Sequence, residues 1–270
     1  MTTELGRPEY LSLIFFTFFS ILAWLRPLRP ANRRNATLLG VAAIGLLVLP
    51  ALTSTRHTET YFQFLPLLLM PMAYWQTGHF HAPINERFQR ALIATDKRFL
   101  KTFEGLTVPD WLEKPAHAYL EFAYLLVYPM VPSAVAVLYF AGMMDQAVTF
   151  WTVVLPPAYA CYATLPFLRT LPPRTLERGA AEAAQAGMRG FNLVVVRQVT
   201  HQANTFPSGH AAAAGAVALE LTRLVPAVGA VYIILAVSIM AAAFVGRYHY
   251  ALDVVLGAAL AVASFLLTHA

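Results

Sequence analysis

Charge is what this sequence has least of. Asp, Glu, Lys and Arg make up 12% of its 270 residues, against about 25% in a soluble globular chain, while 58% are hydrophobic and mean hydropathy is +0.57. So few charges cannot coat a core this apolar, which argues against a soluble enzyme, and the same numbers exclude intrinsic disorder. Cysteine is nearly absent: Cys161 stands alone, leaving no intramolecular disulfide and no cysteine set for zinc or an iron–sulfur cluster. Lysine stops at Lys114, so every basic residue after it is arginine. A basic n-region and a small-residue cleavage site are missing near the start, and no cleavable secretory signal is expected. There is no internal repeat and no low-complexity linker.

What is there is a series of apolar runs, at residues 10–25, 36–52, 61–75, 117–141, 147–168, 208–224, 226–246 and 250–269. Crossing a hydrocarbon core of about 30 Å takes roughly 17–25 residues. Only helices with internally paired backbone make such crossings in an aperiodic apolar sequence. The expected fold is all-α: a polytopic transmembrane helical bundle of about six to eight spans. The third run is short and carries Pro66 and Pro71, and Pro129, Pro132, Pro156 and Pro157 sit inside spans, where membrane helices accept them with kinks. Residues 84–103 place Ile84, Phe88, Leu92, Phe99 and Phe103 on one helical face, with most charges elsewhere. That pattern predicts an interfacial amphipathic helix. Residues 169–206 link the fifth and sixth runs and hold an Ala-rich helical segment at 176–188. The chain reads as a single membrane domain. Residues 1–115 carry the N-terminal spans and the interfacial helix, and residues 116–270 the bundle that holds the chemistry.

Three stretches put ionisable groups at span boundaries. Pro207-Ser208-Gly209-His210 precedes the Ala-rich sixth run. Proline suits a helix start, Ser208 can cap it, and Gly209 lets backbone approach a ligand. The free N–H groups of a helix start attract an anion, with His210 at the rim. Arg247-Tyr248-His249-Tyr250-Ala251-Leu252-Asp253 turns from the seventh run to the eighth. His249 and Asp253, four apart, share a helical face, where the carboxylate would fix the imidazole tautomer and stabilise its charge as the other nitrogen attacks. Arg247 offers a guanidinium fork suited to phosphoryl oxygens. After the fifth run, Arg174 and Arg169 would complete a cationic cradle. Up-and-down connectivity brings all three stretches to one end of the bundle. Cations for phosphate charge, a nucleophile and a separate acid together match phosphoryl transfer.

The pair FPSGHA at 206–211 and HYALDVVLG at 249–257 resembles the type 2 phosphatidic acid phosphatase superfamily, over roughly residues 166–257. The resemblance implies that His249 is a nucleophile forming a phosphohistidine, that Asp253 orients it and that His210 protonates the leaving group. Phosphate would be bound by Arg247, Arg174, Ser208, Gly209 and Arg169, with no metal and no other cofactor. The implied partners are a lipid phosphate and the bilayer, with no nucleic acid. The family's first motif is a Lys, six residues, then Arg-Pro; its lysine has no counterpart here, so only the phosphate-binding role passes to Arg174, and more weakly to Arg169. The third motif in phosphatases has five residues between Arg and His. Here Tyr248 alone separates Arg247 from His249, which looks closer to the inositol-phosphorylceramide and sphingomyelin synthases and leaves water and a lipid alcohol both open as acceptor.

Other polar residues read more plainly. His79 and His81 lack carboxylate or cysteine partners nearby and are expected as an interfacial loop pair, not a metal site. His201 is expected at the surface, Glu220 is expected to pair with Arg223, and Glu121 has no evident partner. Tyr and Trp at 10, 24, 61, 75, 111 and 151 fit interfacial belts. The net charge of +5 fits basic loops beside anionic headgroups. With eight crossings, all of the 19 basic residues except Arg7, Arg56 and Arg223 fall on the motif side, which the positive-inside rule makes cytoplasmic. The resemblance favours the opposite face, and a third run that does not cross would reconcile the two. The expected protein is a multi-pass protein of the plasma (inner) membrane. It is a lipid-phosphate phosphatase, or a head-group transferase with the same first half-reaction, or a non-enzymatic transporter or scaffold that binds anionic lipid through its arginines.

Overall fold

A computed structural model describes residues 5–53, 57–102, 109–176 and 187–270. Among these the chain is all-α, with no strand beyond two isolated β-bridges. Helix α1 (Arg7–Leu25) and helix α2 (Pro30–Thr53) match the first two runs. The third run is broken into α3 (Thr58–Phe64) and α4 (Pro66–Gly78). Pro66 has no N–H to return to the preceding turn, so the ladder stops there. Helix α5 (Glu86–Lys101) is the amphipathic one, and Phe103, expected at its end, lies outside the described residues.

The fourth run is also broken, into α6 (Asp110–Leu125) and α7 (Val127–Phe140), bent by 59°. Pro129 removes the amide that would bond back to Leu125, which puts the break at Leu126. Helix α8 (Ala147–Ala163) follows and keeps its course through Pro156 and Pro157. After it come a 3-10 turn (Pro173–Thr175) and α9 (Gly187–Val199). The Ala-rich segment expected at 176–188 falls largely on residues 177–186, outside the described residues. The last three helices are α10 (Gly209–Leu224), α11 (Pro226–Val245) and α12 (Ala251–His269).

Among the described residues, helices α1, α2, α11 and α12 are each long and apolar enough to cross a membrane, and α6 and α7 together are apolar enough for a broken span or a re-entrant loop. Their outer faces carry exposed Ile14, Leu49, Phe140, Ile234 and Leu267, as lipid-facing helices do. Helix α10 is the bundle's axis. Its Ala-rich sequence leaves almost every residue buried and lets α7, α8, α11 and α12 approach it closely. Helix α5 departs from the expected pattern: Ile84 and Phe99 are half-exposed, and the buried face is Gln89, Leu92 and Asp96. Polar side chains win that face because they bond to the loops at the end of the bundle. Gln89 accepts from the Leu171 amide at 2.7 Å, and Asp96 accepts from the Ala251 amide at 3.0 Å.

The approach of α12 to the start of α10 depends on Gly257. A Cβ there would stand 2.5 Å from the Ser208 carbonyl oxygen and 3.1 Å from the Ala211 Cβ. Gly257→Ala should therefore push the two helix starts apart. We expect a loss of about 1–3 kcal/mol in thermal unfolding, with a matching loss of activity.

Candidate active site

Helix α10 begins after Ser208, whose Oγ accepts the Ala211 amide at 3.3 Å. Pro207 thus lies before the cap, two positions ahead of the first helical residue Gly209. The Gly209 amide donates to Thr205 Oγ1 at 3.3 Å, so two of the amides expected to be open to an anion are engaged. Helix α12 begins after Tyr250, whose amide donates to Asp253 Oδ2 at 3.0 Å. The two starts are tied by the Ser208 amide, which donates to the Asp253 carbonyl at 2.9 Å.

Asp253 is fully buried. Its Oδ2 also accepts from Asn204 Nδ2 at 2.8 Å and lies 3.4 Å from His249 Nδ1. That last contact is long for a hydrogen bond, and contacts of this kind tighten when substrate is bound. The rings of His249 and His210 have centroids 5.6 Å apart. Both face a cavity of about 440 Å³, shared with Arg174, Gly209, Tyr124, Tyr248 and Thr205 at its polar end. Leu67, Met70, Pro71, Val131 and Pro132 line the apolar remainder.

The expected cationic cradle is divided. Arg174 lines the cavity; its guanidinium lies 5.1 Å from the centre of the Tyr248 ring, and Nη1 donates to the Tyr248 carbonyl at 3.4 Å. Arg247, at φ 60°, turns away and pairs with Asp96 at 2.8 Å; it is not among the residues lining the cavity. Arg169 donates to the Ala82 carbonyl at 3.3 Å and borders a separate recess beside His81 and His201. Ser208 is spent on the cap. The structure therefore brings together His210, His249, Asp253, Arg174 and Gly209, and holds Arg247, Arg169 and Ser208 outside the cavity.

A profile of the PAP2 superfamily matches residues 90–267. The chain belongs to the PAP2 superfamily. No curated protein and no solved structure matches the chain. Membership supports phosphatase-type chemistry on phosphoric esters, and the matched span takes in every cavity residue named above except Leu67, Met70 and Pro71.

Several residues of this PAP2 site carried no local signal in the sequence. Asn204 stands four residues ahead of Ser208 and could have been flagged only by that proximity. Glu121 accepts from Arg189 at 2.8 Å, from Asn192 at 2.5 Å and from the Tyr248 hydroxyl at 2.6 Å, and all three partners lie far along the chain. Glu220 does pair with Arg223, at 2.6 Å, and also takes His269 at 2.7 Å, at the end of α10 away from the site. Among the described residues no group of His, Cys, Asp and Glu is arranged to hold a metal ion, His79 and His81 included.

His201 is not a plain surface residue. Its ring packs on Trp75 at 4.4 Å, and burial, with His79 and His81 adding to it, holds its pKa down at about 4 against 6.5. A depressed histidine contributes stability that is full above about pH 6.5 and is lost as the pH falls towards 4, because the unfolded chain takes up the proton first. Melting temperature should fall between pH 7 and pH 5, and His201→Gln should flatten that fall.

The two arginines should separate in experiment. Arg174→Gln is expected to cut phosphoric-ester hydrolysis by roughly tenfold or more with little change in melting temperature. Asp96→Ala, which leaves Arg247 without its buried counter-charge, is expected to cost about 3 kcal/mol in thermal unfolding.

Proposed function

We propose that the protein is a membrane lipid-phosphate phosphatase acting on a phosphomonoester or diphosphate lipid, of the phosphatidic acid or polyprenyl diphosphate type, through a phosphohistidine on His249. The observation that carries this reading is the pair His249 and His210, with ring centroids 5.6 Å apart, at the polar end of a cavity whose other end is apolar. That polarity suits a lipid phosphate, with its phosphate beside Arg174 and the histidines and its chain against Leu67, Val131 and Pro132.

With Nδ1 turned towards Asp253, His249 attacks phosphorus through Nε2. The bond from phosphorus to the lipid oxygen breaks, and that oxygen leaves with a proton from His210. Arg174 neutralises charge on the non-bridging oxygens, and Asp253 stabilises the imidazolium. Water then attacks the phosphohistidine, gives a proton back to His210, and phosphate departs with His249 regenerated.

A second reading rests on the single residue between Arg247 and His249: a lipid alcohol, such as ceramide or diacylglycerol, replaces water in the second step. His249→Ala in the purified protein should abolish phosphate release from phosphatidic acid and from polyprenyl diphosphate; full activity in that variant would sink the mechanism. Mass spectrometry of the products with and without added lipid alcohol separates the two readings. Free phosphate alone in every case excludes the transferase.

A further inference from the structure

A buried carboxylate behind the cavity wall takes no part in the steps above. Glu121 sits near the end of α6, 6% exposed, and is not among the residues lining the cavity. Arg189 and Asn192, both on α9, hold it from one side, and the Tyr248 hydroxyl donates to it at 2.6 Å from the other. Tyr248 does line the cavity. Its ring is stacked on Tyr124 with centroids 3.9 Å apart and planes 11° apart, and it lies under the Arg174 guanidinium at 5.1 Å. Tyr124 in turn stacks on His210 at 5.2 Å and 23°.

Arg174 needs such support. Among the described residues no carboxylate lies within ion-pair distance of it, and its side chain is tethered by one long bond to a carbonyl and by the face of Tyr248. A long side chain held so loosely loses aim as soon as the surface beneath it moves, because its many rotamers compete with the productive one. Arg189 neutralises Glu121, which leaves the charge of Arg174 for an anion in the cavity. Burial, and then the neighbouring carboxylate, push the Tyr248 phenol above its ordinary pKa, so it stays protonated and keeps donating.

We propose that Glu121 is a positioning residue for the substrate's phosphate, acting through the Tyr248 ring to fix the Arg174 guanidinium in the cavity. The proposal rests on the phosphatase reading for the identity of the anion. Glu121 touches neither substrate nor reacting atoms; it anchors one end of an aromatic platform that carries the phosphate cation and reaches His210.

The test is competitive inhibition by inorganic phosphate of phosphatidic acid hydrolysis by the full-length protein in mixed micelles. Tyr248→Phe and Glu121→Ala should each raise the inhibition constant by roughly tenfold, the worth of one well-aimed charged contact. Glu121→Gln, which keeps an oxygen for the Tyr248 hydroxyl, should raise it less. In an Arg174→Gln background the Tyr248→Phe change should add nothing, since both act on one guanidinium. A role confined to packing would lower melting temperature and active fraction and leave the inhibition constant unchanged. That result overturns the proposal, as would effects of Tyr248→Phe and Arg174→Gln that simply multiply. Phosphate release by His249→Ala would instead overturn the phosphohistidine reading, and calorimetric binding of phosphate to that variant and to its Tyr248→Phe double still decides the role of Glu121.

Discussion

The structure turns on one carboxylate placed at the first turn of a helix. Asp253 caps α12 through the Tyr250 amide, holds Asn204 from the preceding loop, faces His249 at 3.4 Å and, through its backbone carbonyl, takes the Ser208 amide that starts α10. A buried carboxylate is costly unless donors and a positive end meet its charge. Here the donors fall on Oδ2, with Oδ1 left without a hydrogen-bond partner among the described residues, and they come from loops on either side of the site, so holding Oδ2 brings the two histidines to the same cavity. The close helix contact at Gly257 lies one turn further along the same helix and serves the same approach.

The arginines around the site follow from the same constraint. In an apolar surrounding a cation is held by a carboxylate or faces something anionic. Arg247 has Asp96 and Arg189 has Glu121. Among the described residues the Arg174 side chain has one carbonyl and the face of an aromatic ring, at the wall of the cavity. The contrast between Arg247 and Arg189, each held by a carboxylate, and Arg174, which has none among the described residues, supports the proposed place of the phosphate beside Arg174. Arg247 shows the converse: a fork suited to phosphate, when pinned on Asp96, becomes a strut between α5 and the loop before α12.

Much of this was legible in the sequence, and the limit has a physical form. Apolar runs gave the helices to within about seven residues at their ends, because span length is a local property; the prolines inside runs were expected to kink them, and of these Pro66 and Pro129 coincide with breaks while Pro71, Pro132, Pro156 and Pro157 stay within helices. The two helix starts that carry His210 and Asp253 were legible too, but the shared helical face expected for His249 and Asp253 does not form: His249 lies in the turn before α12 and reaches Asp253 from outside the helix. Partners were not legible. Nothing near Arg247 points to Asp96, and nothing near Glu121 points to Arg189, Asn192 or Tyr248, because each contact joins segments that meet only when the bundle closes. Helix α5 shows the same limit: its hydrophobic periodicity was real, yet the buried face was set by Gln89 and Asp96 bonding to distant loops.

The division of the cavity into a polar and an apolar end also bears on the choice between hydrolysis and transfer. On the proposed mechanism both reactions would share the first step and four side chains, His249, His210, Asp253 and Arg174. They differ only in which hydroxyl reaches the phosphohistidine. Water competes poorly where walls are apolar and a ligand fills them, and it enters once the departing lipid leaves the apolar end open. An acceptor lipid would have to occupy that end while phosphate still sits on His249. The discriminating residues are therefore those of the apolar wall on α4 and α7, among them Met70, Pro71, Val131 and Pro132. The histidine motifs, which are common to both reactions, cannot discriminate between them.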